Sequence, residues 1–598
     1  MSTTADKLRA QFPDVNYLKL TAASEKPEYR YPGFRPGKEI LPKGHVRDSG
    51  HRAFHTDVIF ERDVGVLMRD GITIYTDIFR PVDSDTTKIP AILPWSPYGK
   101  TGSGVYRYED QGPFSCGVPK GATTGYEKFE APDPAEWCPR GYAIVNIDAR
   151  GAGMSEGNTV WWGQQEAEDI YDTIEWLSHQ SWCNGSVVMA GNSWLAIAQI
   201  NFASRLSHPA LKAIAPFEGI NDPYRDGMVR GGILSKGWIA FHQTINAGFA
   251  GPGCAEDIGG AVLKRPLYDD YWRSKNINTA NIDIPLYATA SYSATGFHLD
   301  GSIKTWRNAK SKNKWLRIHS HQEWYDLYRP AVTEDLQKFF DRYSKNIDNG
   351  WEQTPPIRLS LLGMDGSPAL TIIDRPEKDY PLARQTLVKY YLDASNRSLS
   401  LDVPSSISET SHEAHSLTAA SSFILRFSEH TELAGYPKVT LWMSCAEKDD
   451  LDVGVVVRKL DSMGEPMTSL NYPCPVPHHE VTTTMISKSY GSEGFLRASH
   501  TISRDDSLSS LDGQEIFYHH DRREPVPPGT KVRLEFTIRP IGMVFEKGEG
   551  LLLSVAGHSQ ALLSFVGLEP KEPTDDNVGL HTIYTGGEYD SNLIIPVV

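Results

Sequence analysis

The chain has 598 residues, 40% hydrophobic and 23% charged, a globular composition that excludes a collagen, a coiled-coil rod and wholesale disorder. Lys and Arg number 60 against 75 Asp and Glu, so the net charge is −15, and with no Lys/Arg run a nucleic-acid partner is not expected. No stretch approaches the ~18–20 apolar residues of a membrane span, and the opening MSTTADKLRAQF lacks an apolar signal core, so no membrane partner and a cytoplasmic location are expected.

Residues 1–54 are rich in Pro, Lys and Arg without a period and read as an extended N-terminal arm. Val58–Val64 and Gly71–Phe79 then alternate like antiparallel strands around the turn Arg69-Asp70-Gly71. Unbroken apolar runs follow at Ile89–Trp95, Tyr142–Asp148, Ser186–Gly191 and Leu211–Pro216, as strands of a parallel sheet buried on both faces require. Between them, Gln165–Gln180 places Ile170, Ile174 and Leu177 on one helical face, with acids in its first turn. This alternation predicts an α/β fold in two segments, 55–221 and 281–355. Residues 222–280 interrupt it as a helical cap insertion. From 356 to 598 the period switches to two, over many short strands punctuated by Gly, Pro and Asp, predicting a C-terminal β-sandwich.

Chemistry enters at Met189-Ala190-Gly191-Asn192-Ser193-Trp194-Leu195, where a buried strand turns into a helix expected near Leu195–Ala203. A serine on such a turn presents its hydroxyl at the carboxyl end of the sheet, and the next backbone N–H can bind an oxyanion. The usual spacing is G-x-S-x-G; here Leu195 stands in place of the second glycine. A serine that merely caps the helix is the plain alternative.

These residues, with several other stretches, resemble the CocE/NonD hydrolases, the family of cocaine esterase and X-Pro dipeptidyl peptidase, in a fungal-type form. Arg69-Asp70-Gly71-Ile72, Asp77–Pro81, Pro97-Tyr98-Gly99-Lys100, Asp148-Ala149-Arg150-Gly151, Ser155-Glu156-Gly157 and Ala215–Gly219 carry the resemblance in the first half. Asp449–Val453 and Leu496–His500 carry it in the second. It implies an α/β-hydrolase domain with an inserted helical cap and a C-terminal jelly roll. It also implies a nucleophile at Ser193 and an oxyanion hole from the Tyr98 hydroxyl and the Trp194 N–H. The family's acid and histidine are missing from their expected slots, which read Ser293 and Glu323. Two arrangements remain open. In one, His298 is the base and Glu323 orients it. In the other, His319 or His321 is the base, with Asp300 behind it. A serine nucleophile needs a base in reach and an acceptor to orient that base, whatever the chain order.

Trp161, Trp162 and Trp324 are candidates for an apolar substrate pocket, as are Trp194 and Trp238. Asp449, Asp450 and Asp452 read as a strand-turn feature, and His478-His479 would face opposite ways on a strand. The six cysteines form no CxxC pair, so no zinc or other metal is expected and a reducing compartment is. No nucleotide motif is present, and no cofactor is implied. The leading expectation is a serine hydrolase or acyltransferase that acts on a small-molecule ester or amide through an acyl-enzyme. The alternative is a hydrolase fold with an altered triad catalysing cyclisation, C–C cleavage or isomerisation in secondary metabolism. A homodimer is compatible with the jelly roll.

Overall fold

The computed structural model describes residues 3–560 and 577–598. The first two residues of the expected arm, and 561–576 of the expected sandwich, lie outside the described residues. The apolar runs form the middle of a twelve-stranded mixed sheet. Ile89–Ile92, Cys183–Asn192, Leu211–Phe217, Leu286–Ser291 and Lys314–His319 pair in parallel, as does Ala143–Asp148 with Ile89–Ile92. Ala143–Asp148 is buried at all six positions, the signature of a strand covered on both faces. The hairpin of Val58–Leu67 and Thr73–Pro81 joins one edge antiparallel. Helices Gln164–Ser178 and Trp194–Arg205 pack on the sheet; the second buries ten of its twelve residues.

Three expectations need correction. The period of two from 356 on places a sandwich strand here, but Ile357–Leu361 pairs in parallel with Lys314–His319 and extends the hydrolase sheet, followed by Ile372–Glu377. The boundary at 355/356 therefore falls inside the sheet; Arg358 and Ser360 alternate with apolar residues in the sequence, but four of the five residues are buried. The arm is not wholly extended: Thr4–Gln11 is a helix, nucleated by a capping box between Thr3 and Asp6. Its strand Tyr17–Lys19 pairs with Cys254–Glu256, so the cap holds a small sheet besides its helices Lys236–Gly248, Ile258–Lys264 and Asp270–Lys275.

The C-terminal strands form a thirteen-stranded antiparallel-rich sheet system. Ser421–Arg426 shows why: Ser421, Phe423 and Leu425 are buried and their neighbours are not. The sandwich is fastened to the hydrolase sheet, because the Leu362 N–H donates to the Gly542 carbonyl at 2.9 Å and the Val544 N–H to the Leu362 carbonyl at 2.9 Å. A loop of the sandwich also reaches back to the carboxyl end of the hydrolase strands. There the Gln322 N–H donates to the Asn471 carbonyl (2.7 Å) and the Tyr472 hydroxyl to the Pro113 carbonyl (2.9 Å).

Candidate active site

Ser193 sits between the strand Cys183–Asn192 and the helix Trp194–Arg205 with φ +56° and ψ −119°. A non-glycine residue in that region costs about 1–3 kcal/mol and persists only where its surroundings hold it. Here its N–H is held by the carbonyls of Phe217 (3.2 Å) and Glu218 (3.1 Å). Gly191 is needed because a Cβ there would lie 2.5 Å from Leu195 Cδ2 and 3.0 Å from the Glu130 carbonyl. Leu195 thus fills the space that a two-glycine turn leaves open. Trp194 opens the helix, so its N–H has no acceptor within the helix.

His298 begins the helix His298–Asn308, and Glu323 begins the helix Glu323–Leu327 after the strand Lys314–His319. The two meet: His298 Nδ1 lies 2.7 Å from Glu323 Oε2. The Asn192 side-chain amide donates to the same oxygen at 3.1 Å. A carboxylate accepts from Nδ1–H, which leaves Nε2 as the basic nitrogen, and Nε2 is buried without a protein partner. Ser193, Tyr98, His298 and Glu323 all line one cavity of about 60 Å³. Burial pushes the Tyr98 phenol well above its ordinary value, with the Glu130 and Tyr106 side chains adding to it and a hydrogen bond with Ser193 opposing it. The phenol therefore stays protonated and able to donate.

The residues of the other arrangement are placed differently. His321 does not line the cavity; its ring packs against Tyr325, because the chain turns into the helix at Glu323 just beyond it. His319 Nε2 faces Glu218 Oε1 at 3.1 Å and Asp326 Oδ2 at 3.6 Å, and Asp326 is in turn paired with Arg317. Asp300 is bound to Lys304 Nζ (2.7 Å) and to the Tyr436 hydroxyl (2.9 Å), so it supports neither histidine. Ser293 lines the cavity but bonds Ser291, at 2.7 Å.

Of the tryptophans, Trp324 and Trp238 line the cavity. Trp161 and Trp162 do not: they pack behind Trp194, tilted at 45°, at 4.5 and 5.2 Å between ring centres, and the Trp161 indole N–H is committed to Asn246. The Trp194 indole N–H is committed to Glu166 at 2.9 Å. Asp452 pairs with Arg497, and Asp450 accepts from the Leu451 and Ser499 N–H groups, as a structural strand-turn feature would.

Two buried acids were not singled out as site residues. Glu218, at φ +61°, brings a carboxyl oxygen within 4.8 Å of the nearest ligand atoms of both His298 and Glu323. That is the one such three-residue group among the described residues; its His298 and Glu323 atoms are already hydrogen-bonded to each other, which reads as an acid–base cluster. Burial pushes the Glu218 carboxyl above its ordinary value, against the pull of His319. Glu130 lines the cavity from the loop before Pro134. No local pattern marks it, since its position depends on where that loop folds.

Two family models match the chain: X-Pro dipeptidyl-peptidase (S15 family) over residues 70–251, and the X-Pro dipeptidyl-peptidase C-terminal non-catalytic domain over residues 349–594. A solved CocE/NonD family hydrolase from Staphylococcus aureus is 30% identical, with a TM-score of 0.84 over 97% of this chain and 99% of its own. A cocaine esterase from Rhodococcus sp. (strain MB1 Bresler) is 28% identical over 56% of this chain, a match spanning 62% of that enzyme's length. A putative serine esterase from Mycobacterium bovis is 30% identical over 30% of this chain and 28% of its own length. An α-amino acid ester hydrolase, 17% identical with a TM-score of 0.63, shares the fold.

Proposed function

The chain belongs to the CocE/NonD family of hydrolases, and on that footing we propose that this serine hydrolase cleaves or transfers a short acyl group from a small ester or amide through an acyl-enzyme on Ser193. The observation that carries the proposal is the His298–Glu323 pair facing the same cavity as Ser193. Ser193 Oγ attacks the substrate carbonyl carbon as His298 Nε2 takes its proton. Glu323 holds the imidazole in that tautomer and stabilises the imidazolium. The Tyr98 O–H and Trp194 N–H take the oxyanion. On collapse, the leaving group departs with the proton from His298. Water then attacks the acyl carbon with His298 as base; an alcohol or amine in its place gives acyl transfer. The cavity, at about 60 Å³, is far below the roughly 300 Å³ of drug-sized sites, which favours a short acyl group. The relatives described as esterases and peptidases fit this class. Six free cysteines suit a reducing compartment, and we place the enzyme in the cytoplasm.

Intact-protein mass spectrometry after a fluorophosphonate tests the reading. The wild type should gain one adduct that Ser193→Ala loses, and labelling should slow by about 10³-fold or more in His298→Ala. A folded wild type that takes no label would sink the acyl-enzyme and turn the search to ring-forming or bond-cleaving chemistry. Labelling that survives in His298→Ala but needs His321 would overturn the assignment of the base.

A further inference from the structure

Beside Ser193 the cavity wall carries a carboxyl group that the acyl-enzyme cycle leaves idle. The Glu130 backbone is locked in place: its carbonyl accepts from the Asn192 N–H at 3.0 Å, and its N–H donates to the Tyr108 hydroxyl at 2.9 Å. Its side chain is buried, with the residue 3% exposed. Oε1 accepts the Trp324 indole N–H at 2.8 Å, whereas Oε2 is buried with no protein partner. Among the described residues no Lys or Arg lines this cavity, and the other carboxylate on its wall is Glu323. An uncompensated carboxylate in such a place costs several kcal/mol, so the group keeps its proton. Burial, with Glu323 adding and the Trp324 indole opposing, pushes its acidity in the same direction. Because Oε1 is the oxygen that accepts, the proton belongs on Oε2. A carboxylic acid held neutral in an apolar site is a hydrogen-bond donor. The nearby Tyr106 hydroxyl is already committed, to the Ile245 carbonyl at 3.2 Å.

We propose that Glu130 is a specificity-determining residue whose Oε2–H donates to an acceptor oxygen, such as a ketone or ether, on the acyl chain of the substrate. The inference rests on the acyl-enzyme reading of this cavity. A purely hydrocarbon acyl chain leaves the buried donor unpaired, whereas an oxygenated chain of the same shape pairs it, and a site built around a buried hydrogen bond discriminates more sharply than one built on fit alone.

The test uses matched p-nitrophenyl esters on the full chain: 5-oxohexanoate, its hydrocarbon isostere 5-methylhexanoate, and the cationic isostere 4-(dimethylamino)butanoate. A second pair, 4-oxopentanoate and 4-methylpentanoate, varies the reach. Each kcat/KM is divided by the same enzyme's value for p-nitrophenyl acetate, so a general loss of activity cancels. The keto ester should be preferred over its hydrocarbon partner by about tenfold or more at one chain length. Glu130→Leu should abolish that preference, and Glu130→Gln, whose amide N–H can replace the O–H, should keep most of it. No keto preference at either length, or a preference that survives Glu130→Leu, overturns the proposal. So does a preference for the dimethylamino ester, which would mean an ionised Glu130 serving a cation. Turnover without keto preference sinks this inference alone; turnover of no ester sinks the acyl-enzyme reading and this inference with it.

Discussion

At the scale of single residues, the site is an exercise in what burial does to acids. Glu323 keeps two donors, His298 Nδ1 at 2.7 Å and the Asn192 amide at 3.1 Å. Glu218 Oε1 faces His319 Nε2 at 3.1 Å. Two carboxyl groups this close resist ionising together. That gives the cluster a reserve. In Glu323→Gln, Glu218 is free to ionise and face His298 in its place. We expect Glu323→Gln to lower kcat/KM by about 10²-fold and the double variant Glu218→Gln/Glu323→Gln by about 10⁴-fold, the loss typical when the triad acid is removed. Steady-state kinetics of the two single variants and the double decide it: a full 10⁴-fold loss in Glu323→Gln alone rules the reserve out.

At the scale of elements, the helix Gln164–Ser178 supports the turn at Ser193 through Glu166. This carboxylate accepts the Trp194 indole N–H at 2.9 Å and the Asn201 amide at 3.2 Å. Burial raises it to about 7, against the pull of those two donors. The folded value lies above the unfolded value of about 4.3, so the folded chain binds more protons than the unfolded chain between them. The stability this group contributes is fully present below the unfolded value and is lost as pH rises through about 7. Glu166→Gln keeps an acceptor for the indole and does not titrate. Its urea midpoint should therefore gain on the wild type as pH goes from 5 to 8; a constant gap would show that Glu166 does not titrate there.

At the scale of the whole molecule, the cavity is closed by three parts of the chain. The α/β sheet supplies Ser193, the cap helix Lys236–Gly248 supplies Trp238, Phe241 and Ile245, and the sandwich loop supplies Met485 and Ile486. The C-terminal half thus forms part of the cavity wall. Met485→Ala should widen the cavity and move the preferred p-nitrophenyl ester to a longer acyl chain, with about tenfold gain in relative kcat/KM, since each methylene in an apolar pocket is worth ~1–3 kcal/mol. An unchanged chain-length profile would show that the sandwich wall does not limit the acyl group.

Local rules by themselves determined much of this protein. Unbroken apolar runs specify strands buried on both faces, three-to-four spacing specifies the helix Gln164–Ser178, and a serine between a strand and a helix specifies an exposed hydroxyl; each depends on neighbours a few residues away. The same rules miscast Ile357–Leu361, because Arg358 and Ser360 alternate with apolar residues in the sequence as they would in a sandwich strand, although four of the five residues are buried. Tertiary structure alone decided which histidine and which acid meet. The sequence leaves His298 and His321 both open as the base, yet one begins a helix at the cavity and the other is turned away by the start of the next helix. It also decided the chemistry of Glu130 and Glu218, because whether a carboxyl group holds its proton depends on the burial and charge around it, and those neighbours come from distant parts of the chain.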